Sequence, residues 1–266
     1  MSQPAIIYLM YHELETPGRS LCRMEEGYTR YVITQAGFRA HLSHLKANGF
    51  RGVSVTEALN LNGHKQREVA ITFDDGCETD LLIAAPLLKE TGFNATFYMV
   101  AGFMGERGYM SERQLRELSE SGFEIGSHSV THSYLTDLDS DRMRFEIAES
   151  KDRLEQVTGK RVEHFSCPGG RWNRRVARIA EEAGYRSVVT SRAGINKQAS
   201  DRFCLSRMAI KRGIDINEFD RLCRAEGLTG IQAKAFILSA AKFALGNSIY
   251  EKVRSAILNK AGGAVS

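Results

Sequence analysis

The sequence predicts an α/β fold: a mainly parallel sheet of about seven strands, closed into a barrel, with a helix after most strands. Three observations carry this. Short apolar runs bounded by turn residues recur from one end of the chain to the other. Helical patterns fill the gaps between them, which makes the sheet parallel. No linker rich in Pro, Gly or Ser interrupts the series, and the chain of 266 residues holds only four prolines. One domain is therefore predicted over 1–229, followed by a basic helical appendage over 230–266.

Taken in order, Ala5–Tyr11 is an uninterrupted apolar run and reads as a buried first strand. Thr34 can cap a helix that places Phe38, Leu42 and Leu45 on one face and stops at Gly49. Strands follow at Gly52–Val55 and Val69–Phe73. Pro86 kinks or starts a helix that ends near Gly92. Ala95–Val100 is a strand, and Ser111 heads a helix over Glu112–Ser121 that Gly122 closes. Phe123–Gly126 is the next strand and Asp141–Val157 the next helix. The series ends with a strand at His164–Cys167, a helix at Arg174–Ala183 stopped by Gly184, a strand at Ser187–Thr190 and a weaker one near Leu205–Ile210.

The composition, 42% hydrophobic and 26% charged, is that of a globular chain long enough to form a core without staples. A net charge of +4 is too mild to call for a nucleic-acid partner. All of that excess lies after Gly230, where five cationic residues face the single acid Glu251. There Phe236, Ile237, Ala240, Phe243 and Ala244 fall at helical spacing near Lys234 and Lys242. This helix is expected to pack on the barrel or a second copy; peripheral contact with a membrane is the alternative. The five cysteines are scattered without a C-x-x-C pair, which fits a reducing compartment and excludes a zinc ribbon. With no basic leader and no apolar run of about 18 residues, a cytoplasmic location is expected.

Four clusters carry chemistry, each at the carboxyl end of a predicted strand, where α/β folds assemble their sites. Asp74-Asp75-Gly76 ends the strand Val69–Phe73. Neighbouring side chains at a strand end point in different directions, so one carboxylate can bind a metal while the other acts as a base. His128 and His132 follow Phe123–Gly126; a helical turn there would put both imidazoles on one face. Two imidazoles and one carboxylate form a catalytic zinc set with a position left for water. His12 ends the first strand, a rim histidine that can serve as a general acid. Pro168, Gly169, Gly170, Arg171 and Trp172 follow His164–Cys167. The glycines let backbone N–H groups approach an oxyanion, and Trp172 is either a sugar-stacking ring or core.

Thr72 to Gly76 reads T-F-D-D-G and His128 to His132 reads H-S-V-T-H, and in both the chain resembles the polysaccharide deacetylase (NodB-homology) family. The resemblance runs from about Ala5 to Ile210 and implies a distorted (β/α) barrel. It implies that Asp75, His128 and His132 hold a metal, with zinc the usual ion and cobalt or nickel alternatives, and that Asp74 is the base. Pro168 and Gly170 match the end of the third motif, R-x-P-x-G, with Gly169 as the oxyanion donor. The arginine of that motif is replaced by Ser166, so Arg171 or Arg207 is expected to hold the base. The fourth motif has no clear match, and the fifth, L-x-H, is absent. Leu9-Met10-Tyr11-His12 and the segment from Thr34 to Leu59 resemble a permuted branch in which the acid histidine comes from the first strand, which makes His12 the acid. The implied substrate is an N-acetylated carbohydrate. The alternatives are a non-catalytic sugar-binding or scaffold protein, and a deacylase of another small amide.

Overall fold

A computed structural model describes residues 5–60 and 67–228. The appendage predicted over 230–266 lies outside the described residues. Among those described, no helix is long and apolar enough to cross a membrane. The strands are β1 (Ala5–Tyr11), β2 (Phe50–Val53), β3 (Arg67–Phe73), β4 (Thr96–Met99), β5 (Glu124–Ser127), β6 (His164–Ser166), β7 (Ser187–Val189) and β8 (Met208–Ala209). The helices are α1 (Gln35–Ala47), α2 (Val55–Leu59), α3 (Ala85–Thr91), α4 (Glu112–Glu120), α5 (Ser140–Thr158), α6 (Arg174–Glu182) and α7 (Ile216–Cys223).

Strand β3 lies at the centre. It pairs in parallel with β1 along one edge, Tyr11 opposite Phe73. Its other edge is shared, β2 taking the first half and β4 the second, with Val53 opposite Ala70 and Phe73 opposite Phe97. From there the sheet runs β4, β5, β6, β7, every pair parallel. The segment Leu205–Ala209 then joins the two edges. Leu205 bridges Val189 of β7, and three residues later Met208 pairs with Leu9 of β1. This is the distorted barrel the sequence predicts.

The core explains the register. Tyr11, Phe73 and Phe97 occupy the same level of three adjacent strands, and their rings stack at 5.3 and 5.0 Å. Phe38 of α1 meets Tyr11 and Phe73 edge-on. All four are fully buried, and each such side chain stabilises the fold by roughly 1.5–3 kcal/mol. This aromatic layer lies immediately below the strand ends that carry the polar residues.

Local chemistry sets most boundaries. The side chain of Thr34 accepts the Gly37 N–H at the start of α1, as predicted. Ser111 and Gln114 form a reciprocal cap on α4. One expectation is corrected. The predicted strand Gly52–Val55 is instead Phe50–Val53, because Ser54 caps a helix that begins at Val55, with Glu57 closing the reciprocal bond. As expected, Pro86 stands at the start of a helix that ends at Gly92: it sits in the first turn of α3, which follows directly on a wide helical turn at Asp80–Ala84.

Candidate active site

The turn after β3 sets the first pair of carboxylates. The Asp74 N–H donates to the Tyr11 carbonyl and continues the ladder by one residue. Asp75 and Gly76 then both turn left-handed, at φ 81°. Glycine suits the left-handed backbone at Gly76, and a Cβ there would also have to displace the Met99 methyl, 2.4 Å away. Asp75 has no such freedom, and a non-glycine residue in this region is strained. The turn separates the carboxylates, sending Asp74 to one partner and Asp75 to another.

Asp74 meets Arg207. Nη1 donates to Oδ1 and Nη2 to Oδ2, both at 2.7 Å, a bidentate pair between side chains that are 0% and 3% exposed. Arg207 also donates to the Ser166 Oγ at 2.8 Å, the Thr72 Oγ1 and the Thr190 carbonyl. Ser166 in turn donates to Asp74. Of the two arginines expected at this place, Arg207 holds the carboxylate, and Arg171 instead pairs with Asp137. Burial alone would raise the Asp74 pKa, but Arg207 and then His128 outweigh it and hold the carboxyl far below its ordinary value.

Asp75 meets both histidines. Its Oδ1 lies 3.6 Å from His128 Nε2 and 3.5 Å from His132 Nε2. The helical turn predicted for the histidine pair is not present. Ser129 and His132 both have positive φ, at 69° and 59°, and the segment loops back on itself, so the imidazoles converge through two left-handed residues. Three contacts hold the loop. The Ala101 and Gly102 N–H groups donate to Ser129 and Val130 carbonyls. The Glu146 carboxylate, fully buried on α5, accepts the Val130 and Thr131 N–H groups and the Thr131 hydroxyl at 2.8–3.0 Å.

The residues fit a divalent metal. Asp75 Oδ1 is buried with no hydrogen-bond partner, a costly condition that a cation would relieve. His128 Nδ1 lies 2.8 Å from the Ser166 carbonyl, which can only accept. The hydrogen is therefore on Nδ1, and the Nε2 lone pair faces Asp75. Burial, then His128, pushes His132 down to about 4, so its lone pair is also free at neutral pH.

His12 completes the group from the end of β1. Its ring stacks on Tyr31 at 5.1 Å, and Nδ1 is buried without a partner. Because β1 runs parallel to β3 with Tyr11 opposite Phe73, His12 follows at the same strand end as Asp74; burial lowers its pKa, and the charges of Asp75 and Asp74 oppose that shift. In the turn after β6, Gly169 and Gly170 are left-handed, and Cβ atoms there would collide with Tyr134 and Ser191. Pro168 is buried and opens this turn. Arg171 lies over the half-exposed Tyr134 ring at 3.8 Å. Trp172 donates to the Phe203 carbonyl, and the Arg192 guanidinium lies 4.9 Å from the centre of its ring. Trp172 is thus partly buried and engaged on the rim. Sequence reasoning missed Glu146, which reads as one more acid on a helix, and Tyr31; neither carries a motif signal.

Comparison with known proteins agrees with this geometry. The profile of the polysaccharide deacetylase family matches residues 62–188. YxkH of Bacillus subtilis (strain 168), named as a polysaccharide deacetylase, is 30% identical over 215 residues, spanning 79% of this chain and 73% of that protein. A peptidoglycan-N-acetylglucosamine deacetylase of Bacillus cereus is 34% identical over 130 residues, 48% of this chain and 58% of that protein. Among solved structures, the Streptococcus pyogenes deacetylase PplD superposes with a TM-score of 0.73 at 24% identity, over 84% of this chain and 99% of that one. That likeness is one of fold.

Proposed function

The chain belongs to the polysaccharide deacetylase family, and from that premise we propose that it is a metal-dependent hydrolase that removes N-acetyl groups from an amino-sugar polysaccharide or its precursor. The observation that carries the reading is the division of two adjacent acids, Asp74 to Arg207 and Asp75 to the two histidines. Asp75, His128 and His132 would hold the cation, zinc or, with the same ligands, cobalt or nickel. When bound, it acidifies water and polarises the acyl oxygen.

The remaining steps belong to side chains. Asp74 stays ionised through the neutral range and accepts the proton of the attacking water as the C–O bond forms. Arg207 fixes both of its oxygens, so the carboxylate is held in one orientation while it does so. The Gly169 N–H donates to the oxygen on which negative charge develops. His12 gives its proton to the amide nitrogen as the C–N bond breaks, leaving acetate and a free amine. Trp172, Tyr134 and Arg171 form the rim that a sugar ring would meet. The replacement of the third-motif arginine by Ser166 favoured a non-catalytic scaffold, but the Arg207 pair fills that gap and supports the enzyme.

The test is metal analysis together with acetate release from N-acetylglucosamine oligomers. Asp74→Ala and His12→Ala are each expected to retain metal and to lose activity by about 10²–10⁴-fold. Wild-type protein that binds metal yet releases no acetate from any N-acetylated sugar would sink the reading.

A further inference from the structure

A second group of metal-ligating side chains lies beside the catalytic turn. Glu13, Cys22 and Cys77 bring a carboxylate oxygen and two sulfurs within 4.8 Å of one another. The sulfurs are 3.4 Å apart. Glu13 is 1% exposed and Cys77 fully buried, while Cys22 is half-buried. Asp80 is buried close by, with neither carboxylate oxygen hydrogen-bonded. Among the described residues no Lys or Arg pairs with Glu13 or Asp80, although each of the other deeply buried acids of this region has a cationic or imidazole neighbour.

We infer that Glu13, Cys22 and Cys77 form a second binding site, distinct from the catalytic one, for a divalent cation of the zinc class, with Asp80 as the buried charge beside it. The spacing fits: two sulfurs about 2.3 Å from a tetrahedral ion lie about 3.8 Å apart, close to what is found. Thiolates with a carboxylate favour zinc over magnesium or calcium. The site also has an outer layer. Tyr28 donates to Glu13 Oε2 at 2.9 Å and lies 3.3 Å from the Cys77 sulfur. The Cys22 N–H donates to both Glu13 oxygens at 3.0–3.1 Å, and the Cys22 thiol now points at the Gly108 carbonyl.

A disulfide is the competing use of two adjacent cysteines. It would require the sulfurs to close to about 2.05 Å and would leave both carboxyl groups uncompensated. A cation held by Glu13, Cys22 and Cys77 uses both sulfurs and the Glu13 carboxylate, and it brings a positive charge to the side of the site where Asp80 is buried. It would also tie together three parts of the chain that meet at the catalytic rim. Glu13 adjoins His12, Cys77 is two residues from Asp75, and Cys22 comes from the loop between β1 and α1.

The experiment uses the full chain, stripped with chelator and reloaded with zinc or cobalt(II). Wild type is expected to bind two equivalents. His132→Ala should keep one, and its cobalt form should show thiolate-to-cobalt charge-transfer absorption in the near ultraviolet, a band the catalytic ligands cannot produce. Cys22→Ser/Cys77→Ser should keep one without that band; Cys22→Ser alone serves if the double variant does not fold. One equivalent in wild type, lost in His132→Ala with no thiolate band, would overturn the second site while leaving the catalytic reading intact. A Cys22–Cys77 disulfide found by intact mass in metal-loaded protein would overturn it as well. A thiolate band in wild type with only one equivalent, retained in His132→Ala, would uphold the second site and refute the catalytic one.

Discussion

Replacing Arg207 with Met separates the base from its counter-ion while filling nearly the same space. Both partners are buried, the arginine completely, and they share two hydrogen bonds of 2.7 Å. Removing one side of such a pair leaves an uncompensated charge in the interior and costs about 3–5 kcal/mol. Asp74 would then keep the burial that raises its pKa, opposed by His128 and His12 but no longer by Arg207, the strongest opposing group. The sign follows. In the wild type the depressed pKa contributes stability above the unfolded carboxyl value of about 3.9, lost as pH falls below it. In Arg207→Met the raised pKa does the reverse, so the variant recovers stability relative to wild type as the acid is protonated. The destabilisation should therefore be largest at neutral pH and shrink towards pH 4, as read by urea unfolding. An acid limb should appear in the pH profile of acetate release where wild type has none from Asp74. Adding Asp74→Asn to Arg207→Met should restore about 2 kcal/mol or more, because it removes the orphaned charge, but no activity. A loss below about 1 kcal/mol, independent of pH, would refute the argument that Arg207 neutralises the base.

Two more predictions test the surroundings. Glu146→Gln exchanges a carboxylate that accepts three hydrogen bonds with the His128–His132 loop for an amide with one accepting oxygen; zinc affinity, measured by competition with a chelating dye, should fall about 10–100-fold, and unchanged affinity would show that the loop holds itself. His41, buried against Phe219 with ring centres 4.0 Å apart, has its pKa pushed down to about 4 by burial and then by His44; a depressed value in a basic group means stability that is full above the unfolded pKa of about 6.5 and lost as pH falls towards 4. Between pH 7 and 5 wild type should lose about 2 kcal/mol through this group, and His41→Phe should lack that part of the loss in urea unfolding.

The strands and the site residues at their ends were legible because burial on both faces leaves continuous apolar runs, and because a carboxylate pair or a histidine pair directly after such a run stands out. The two histidines converge on Asp75, but not by the route their spacing implies. Spacing of four suggested a helical face, whereas the loop reaches the same convergence through positive φ at Ser129 and His132, which no local pattern in H-S-V-T-H announces. Arg207 was visible only as one of two candidates, since its partner lies 133 residues away and nothing near it encodes that distance. The Glu13, Cys22 and Cys77 group was invisible: scattered cysteines suggest no site until the fold brings two of them together. The Gly52–Val55 expectation failed because Ser54 was read as strand, when its hydroxyl and Glu57 make it a helix cap.

The segment Leu205–Ala209 closes the barrel and carries Arg207 between its two edge contacts. Closure and charge compensation are therefore a single event. A nascent chain that has made β1 through β7 holds the proposed metal ligands and Asp74, yet buries Asp74 without the Arg207 guanidinium until Leu205–Ala209 docks. The proposed acid, His12, follows the first strand of the barrel and the arginine lies in its closing segment, so fraying at either place disarms the centre before the core is disturbed. In the proposed mechanism, activity therefore reports on whether the barrel is complete.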